Sequence, residues 1–113
     1  MDALITAFAT DDGESLISRH FGDAGFYSIY EITAKSTRYI GRVDNTTESD
    51  HDDTGHGDGR KAGSIISLLK QEGVTVAVAR RFGPNILRIQ RKFVCIKIGE
   101  EQISDILPRL QQH

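Results

Sequence analysis

The sequence predicts an α/β protein built on a five-stranded mixed sheet of spatial order 3-2-1-4-5, with helices on its faces. Three observations lead there. The runs at residues 3–9, 74–79 and 93–98 are short and almost wholly apolar, as strands covered on both faces are. A helical pattern lies before each of the last two runs, which calls for crossover connections and makes the first, fourth and fifth strands parallel. Two β-forming runs between residues 26 and 43 are joined only by Thr33-Ala34-Lys35-Ser36, a hairpin-length link that makes them antiparallel.

Ala3 to Ala9 is the central strand, and Asp12-Gly13 turns the chain after it. Glu14 to Arg19 has room for one short helical turn before His20-Phe21-Gly22. Phe26 to Ile32 then pins this loop against the sheet, with Gly22 and Gly25 as positive-φ turning points. In the next strand, Thr37 to Val43, Tyr39, Gly41 and Val43 alternate with Arg38, Ile40 and Arg42, so charge faces solvent as on an edge. Residues 44–58 have no periodicity and are nearly all polar or Gly; loops this long are often functional or disordered. Gly59 to Glu72 sets Ala62, Ile65, Ile66, Leu68 and Leu69 at helical spacing, and Gly73 stops the helix. Pro84 suits a first helical position, which predicts a helix to about Arg91 burying Ile86, Leu87 and Ile89. Glu100 to Gln112 carries the last apolar stripe, Ile103, Ile106, Leu107 and Leu110, and Pro108 within it argues for a kink or two shorter turns.

A chain of 113 residues makes one domain, spanning residues 1–113. Its formal charge of -2 gives no global case for binding nucleic acid or an anionic membrane. The single cysteine, Cys95, excludes an internal disulfide framework and an all-cysteine metal site, and its place in a strand suits a small buried side chain. No apolar run has the length of a membrane span, and the start lacks a basic-then-apolar signal pattern, so a cytoplasmic protein is expected.

Ligands of open parallel sheets collect beyond the carboxyl ends of the strands. That rule brings together Thr10 and the His20 loop after the first strand, Arg80 and Arg81 after the fourth, and the backbone N–H groups near Gly83 and Asn85. Such a rim suits an anion, with a metal cluster or an oxyanion as the expected partner. A helix terminus contributes only about 0.3–1 kcal/mol, whereas micromolar binding needs about 8 kcal/mol, so a coordinate bond from His20 is the natural addition. His20 could equally hydrogen-bond a strand end. In the acidic loop, His51 and His56 with Asp50, Asp52 and Asp53 either bind a divalent metal or form a solvated face. Asp11 and Asp12 alone are too few for a two-metal nuclease.

The opening strand, His20-Phe21-Gly22 running into Phe26-Tyr27, the Gly-rich lead into the helix at residues 57–69, Glu72-Gly73-Val74 and Phe82-Gly83-Pro84 follow one another over nearly the whole chain. Together they resemble the dinitrogenase iron-molybdenum cofactor biosynthesis family. The resemblance implies a ribonuclease-H-like three-layer fold. It also implies a small non-enzymatic protein that binds or carries an iron-molybdenum or other metal-sulfur cluster, or its precursor, as in nitrogen fixation. A cofactor-assembly protein is then the expected protein partner. His20 matches the family's His-Phe-Gly histidine and is the implied ligand, with Phe21, Gly22, Thr10, Arg80, Arg81, Gly83 and Asn85 around it. Two features depart from the family pattern. Relatives commonly have small residues where this chain has Arg80-Arg81, and many carry a Cys in the loop that here holds His51 and His56. The alternative is an interaction or regulatory module of the same fold that binds a protein partner and no cluster, its loop 44–58 ordering on contact.

Overall fold

Strand β1 (Leu4–Thr10) lies at the centre of the sheet and sends its side chains both ways. Ile5, Ala7 and Ala9 enter one apolar layer, while Leu4 and Phe8 enter the other, following the two-residue period of a strand. On one side β1 pairs antiparallel with β2 (Phe26–Ile32), which pairs antiparallel with the edge strand β3 (Thr37–Asp44). On the other it runs parallel to β4 (Val76–Ala79), itself parallel to β5 (Val94–Lys97). The order is therefore β3-β2-β1-β4-β5, as predicted. The computed structural model describes residues 3–45, 58–99 and 101–111; the predicted loop ligands His51 and His56 lie outside them.

Helix α1 (Asp58–Gln71) and the short α2 (Ile86–Gln90) cover the face of Ala7 and Ala9 through Ile65, Ile66, Leu69 and Ile89. Helix α3 (Ile103–Gln111) covers the opposite face, setting Ile103, Ile106 and Leu110 on Phe8, Val76 and Val78. Three layers result. Burying each such side chain contributes roughly 1.5–3 kcal/mol before conformational entropy is set against it. Gly73 ends α1 at φ +83°, and the Val74 N–H donates to the Leu69 carbonyl across it.

Several local expectations are corrected. Residues 14–19 do not form a helical turn. Leu16 instead bridges Thr10, and Ser15 bridges Gln102, with the Leu16 N–H donating to Glu101 O and the Ile103 N–H to Glu14 O. Those backbone bonds tie the first loop to the start of α3, and a helical turn would have left them unmade. The helix expected from Pro84 to Arg91 begins as a 3-10 turn, Gly83–Asn85, and continues as α2 for only five residues, burying Ile89 but leaving Leu87 exposed. Strand β3 carries a bulge: Ile29 faces Gly41, but Tyr30 faces Tyr39, leaving Ile40 as the extra residue. The bulge swings Tyr39 to the face opposite Val43, so their common alternation fails; it also twists the edge away from mispairing. Pro108 lies inside a single helix, α3, rather than between two shorter turns. Ser104, whose carbonyl loses its partner, and Pro108 are both exposed, so water can take up the freed acceptor.

Candidate functional site

The His20 loop is fixed from below by an aromatic column. Phe21 is fully buried; its ring stacks on Phe82 at 5.4 Å and meets Tyr27 at 5.0 Å. Tyr27 Oη donates to the Phe21 carbonyl at 2.7 Å. Burial, and then the charge of Asp23, push the Tyr27 hydroxyl far above its ordinary range, so it remains a donor. The Phe21 N–H donates to Arg81 O at 2.8 Å, which joins the loop after β1 to the loop after β4. From above, buried Asn45 donates its amide to Gly22 O at 3.0 Å and Ala24 O at 2.8 Å, and its backbone N–H to Gly25 O. The turn itself is a 3-10 segment, Phe21–Asp23, closed by the Asp23 N–H on His20 O.

Neither Gly22 nor Gly25 has positive φ, contrary to expectation. Gly25 instead brings its backbone against the Asp11 carboxylate. A Cβ there would lie 2.9 Å from Asp11 Oδ1, which accepts the Gly25 N–H at 2.7 Å, while Asp11 Oδ2 pairs with Arg19 at 2.8 Å. Gly83 does have positive φ, +73°, and a Cβ on it would lie 2.5 Å from His20 Nδ1 and 2.6 Å from Cγ. The imidazole therefore rests directly on the bare Cα of Gly83. His20 is exposed, and among the described residues no group hydrogen-bonds its ring. The strand-end hydrogen bond considered for it is not formed.

The loops carrying His20, Arg81 and Gly83 thus meet, but several predicted site residues have other work. Phe21 belongs to the core, where its side chain cannot reach a rim ligand, since Tyr27 and Phe82 enclose it. Thr10 is buried, and its hydroxyl donates to Ser15 O at 2.6 Å while accepting the Gly13 N–H at 2.9 Å. It closes the turn after β1 and has no free hydrogen-bonding capacity toward a ligand. Asp12 works in the same turn. Its carboxylate accepts the Ser15 and Glu14 N–H groups at 2.8 Å, which hold its pKa below the ordinary carboxylate value. Gly22 is half-buried within the 3-10 turn, with open space where a Cβ would project. Asn85 closes the Gly83–Asn85 turn, whose helix is too short to add much dipole.

Arg80 and Arg81 do line a cleft, of about 320 Å³, together with Ser18, Lys97, Ile98 and Gly99. His20 is not among its lining residues. Lys97 and Ser18 were missed in the sequence. Lys97 was nevertheless findable, because it is the last residue of β5 and the strand-end rule that selected Arg80 applies to it equally. Asn45 had no signal at all, since its two acceptors lie more than twenty residues away in sequence. Cys95 is half-buried in β5, and burial pushes its thiol pKa up, which disfavours the thiolate needed for metal binding. Among the described residues, no three His, Cys, Asp or Glu side chains come together as a metal-ion site. No helix of the described chain is long and apolar enough to cross a membrane.

Comparison with known proteins accords with this architecture. The crystal structure of a candidate dinitrogenase from Methanocaldococcus jannaschii superposes with a TM-score of 0.60 at 17% identity, covering 99% of this chain and 91% of that one. An NMR structure of a candidate dinitrogenase from Methanococcus jannaschii gives 0.58 at 16% identity, covering 99% and 90%. At such identities the likeness is one of fold. No curated protein matches the sequence. The profile described as dinitrogenase iron-molybdenum cofactor matches residues 2–113, and the chain belongs to that family.

Proposed function

We propose that this protein is a non-enzymatic carrier for an anionic metal-sulfur or molybdenum-containing cofactor, or its precursor, with His20 as a protein ligand and Arg80 and Arg81 as neutralising charges. The observation that carries the reading is the exposed His20 ring, seated on Gly83 and free of hydrogen bonds to the described residues. An imidazole held in place with its nitrogens uncommitted is prepared to donate to a metal. The donor set fits a cluster better than a bare ion. A structural zinc needs about four protein donors, whereas a cluster that brings its own sulfide ligands can be captured by one imidazole. Its negative charge suits the basic rim, where a charged hydrogen bond contributes about 1.5–3 kcal/mol. Two of these fall short of the roughly 8 kcal/mol of micromolar affinity, so the coordinate bond is needed as well. A cofactor-assembly protein would be the donor or acceptor of such cargo.

The test is elemental analysis of untagged protein purified without oxygen, wild type beside His20→Ala. Molybdenum or iron present in the wild type and absent from a folded His20→Ala variant is the expected result. A wild-type protein that carries neither, even after incubation with metal-sulfur clusters, would sink the carrier reading and leave the partner-binding module as the better account.

A further inference from the structure

We propose that the cleft lined by Ser18, Arg80, Arg81 and Lys97 binds a small tetrahedral oxyanion of the phosphate and sulfate class, by charge and hydrogen bonds and without the His20 imidazole. The inference goes beyond the carrier reading. It shares Arg80 and Arg81 with that reading but needs no metal-sulfur cluster.

Placement is the first argument. Lys97 is the final residue of β5, Arg80 and Arg81 directly follow β4, and Ser18 lies in the loop after β1. The cleft therefore stands at the carboxyl ends of the three parallel strands, where sheets of this kind bind ligands. The backbone beneath these side chains is held in register. Ala79 pairs with Lys97, the Ile98 N–H donates to Ala79 O at 3.1 Å, and Arg81 O accepts the Phe21 N–H at 2.8 Å.

Charge is the second. The ion pairs of the described residues employ Arg19, Arg38 and Arg42, each with an acid close to it in sequence or across a hairpin. Arg80, Arg81 and Lys97 have no acidic partner among the described residues, although the chain as a whole is net negative. Like charges gathered in one concavity repel each other, and a multivalent anion relieves that repulsion while a monovalent one does so only in part. Two guanidinium groups offer paired N–H donors to adjacent oxygens, Lys97 a third cation and Ser18 a hydroxyl, a donor set matched to a tetrahedral ion. The volume of about 320 Å³ lies at the small end of ligand pockets, which begin near 300 Å³.

Isothermal titration of the untagged full chain with inorganic phosphate and sulfate, in a chloride buffer near physiological ionic strength, tests the proposal. Saturable binding is expected. Lys97→Gln and Arg81→Gln, both at exposed positions and checked for unchanged melting, should each weaken it on the order of tenfold. His20→Ala should stay within about twofold of wild type, because no term in this recognition uses the ring. Absence of saturable heat with both anions overturns the proposal, as does binding that Lys97→Gln leaves untouched. Loss of binding in His20→Ala would overturn the independence from the imidazole while favouring a single composite site, and so separates this failure from that of the carrier reading.

Discussion

A methyl group on Gly83 would occupy the space of the His20 ring, 2.5 Å from Nδ1, on a backbone whose φ of +73° already disfavours any other residue. Gly83→Ala is therefore expected to lower stability by about 1–3 kcal/mol from backbone strain, read as a fall in the urea midpoint. It should also displace the imidazole, so a change in the His20 ring resonances in an NMR spectrum accompanies it. An unchanged midpoint with unmoved resonances would contradict the close packing of these loops. The two glycine-flanked motifs were readable one at a time, since His-Phe-Gly and Phe-Gly-Pro are local strings. That one supplies the floor for the other was not readable, because the contact joins residues over sixty positions apart. Phe21 shows the converse: its place in a motif suggested ligand contact, whereas its apolar area made it core.

Among the elements, the turn from Thr10 to Ser15 governs how the first loop leaves the sheet. Asp12 organises it by accepting two backbone N–H groups, and those bonds are strongest to the ionised carboxylate. Because these bonds depress its pKa in the folded state, the unfolded chain takes up the proton first as pH falls. The stabilisation is complete above the ordinary carboxylate value of about 4 and is lost as pH falls through the lower folded value. Asp12→Asn should therefore flatten the acid limb of stability against pH, measured by urea unfolding in steps below neutrality. A variant whose acid limb runs parallel to wild type would show that other carboxylates set it. The Asp-Gly turn was legible from its residue types. Its pairing with residues 101–103 was not, because an extended segment of mixed polarity carries no period that names its partner.

For the molecule as a whole, the sheet divides the apolar interior into two layers, and only the layer holding Phe21 and Phe82 lies under the His20 loop. Ile106 is fully buried in the other, between α3 and the sheet. Ile106→Ala should cost about 2–5 kcal/mol of folding stability. Provided the variant remains folded at the working temperature, it should leave oxyanion affinity and metal content unchanged. Weakened binding in the folded variant would mean that the two faces are coupled through β1 more tightly than their separate packing indicates. The two sheet edges also differ. β3 has a bulge, arginines and the Arg38–Glu31 pair, whereas β5 ends in Lys97 and leaves Val94 exposed.

The five strands, their order and the main helices were legible in the linear string alone. Those follow from short-range periodicity and from connection lengths, both of which a linear string records. It also singled out His20 and the Arg80-Arg81 pair, since unusual side chains at strand ends are visible without coordinates. Only the tertiary structure decided which of the marked residues face outward. It assigned Phe21 to the core and Thr10 to a turn, set His20 on Gly83, and brought Lys97 and Ser18 to the arginines. The physical reason is that exposure and proximity depend on packing between segments remote in sequence, where a buried ring and a rim ligand can share the same local pattern.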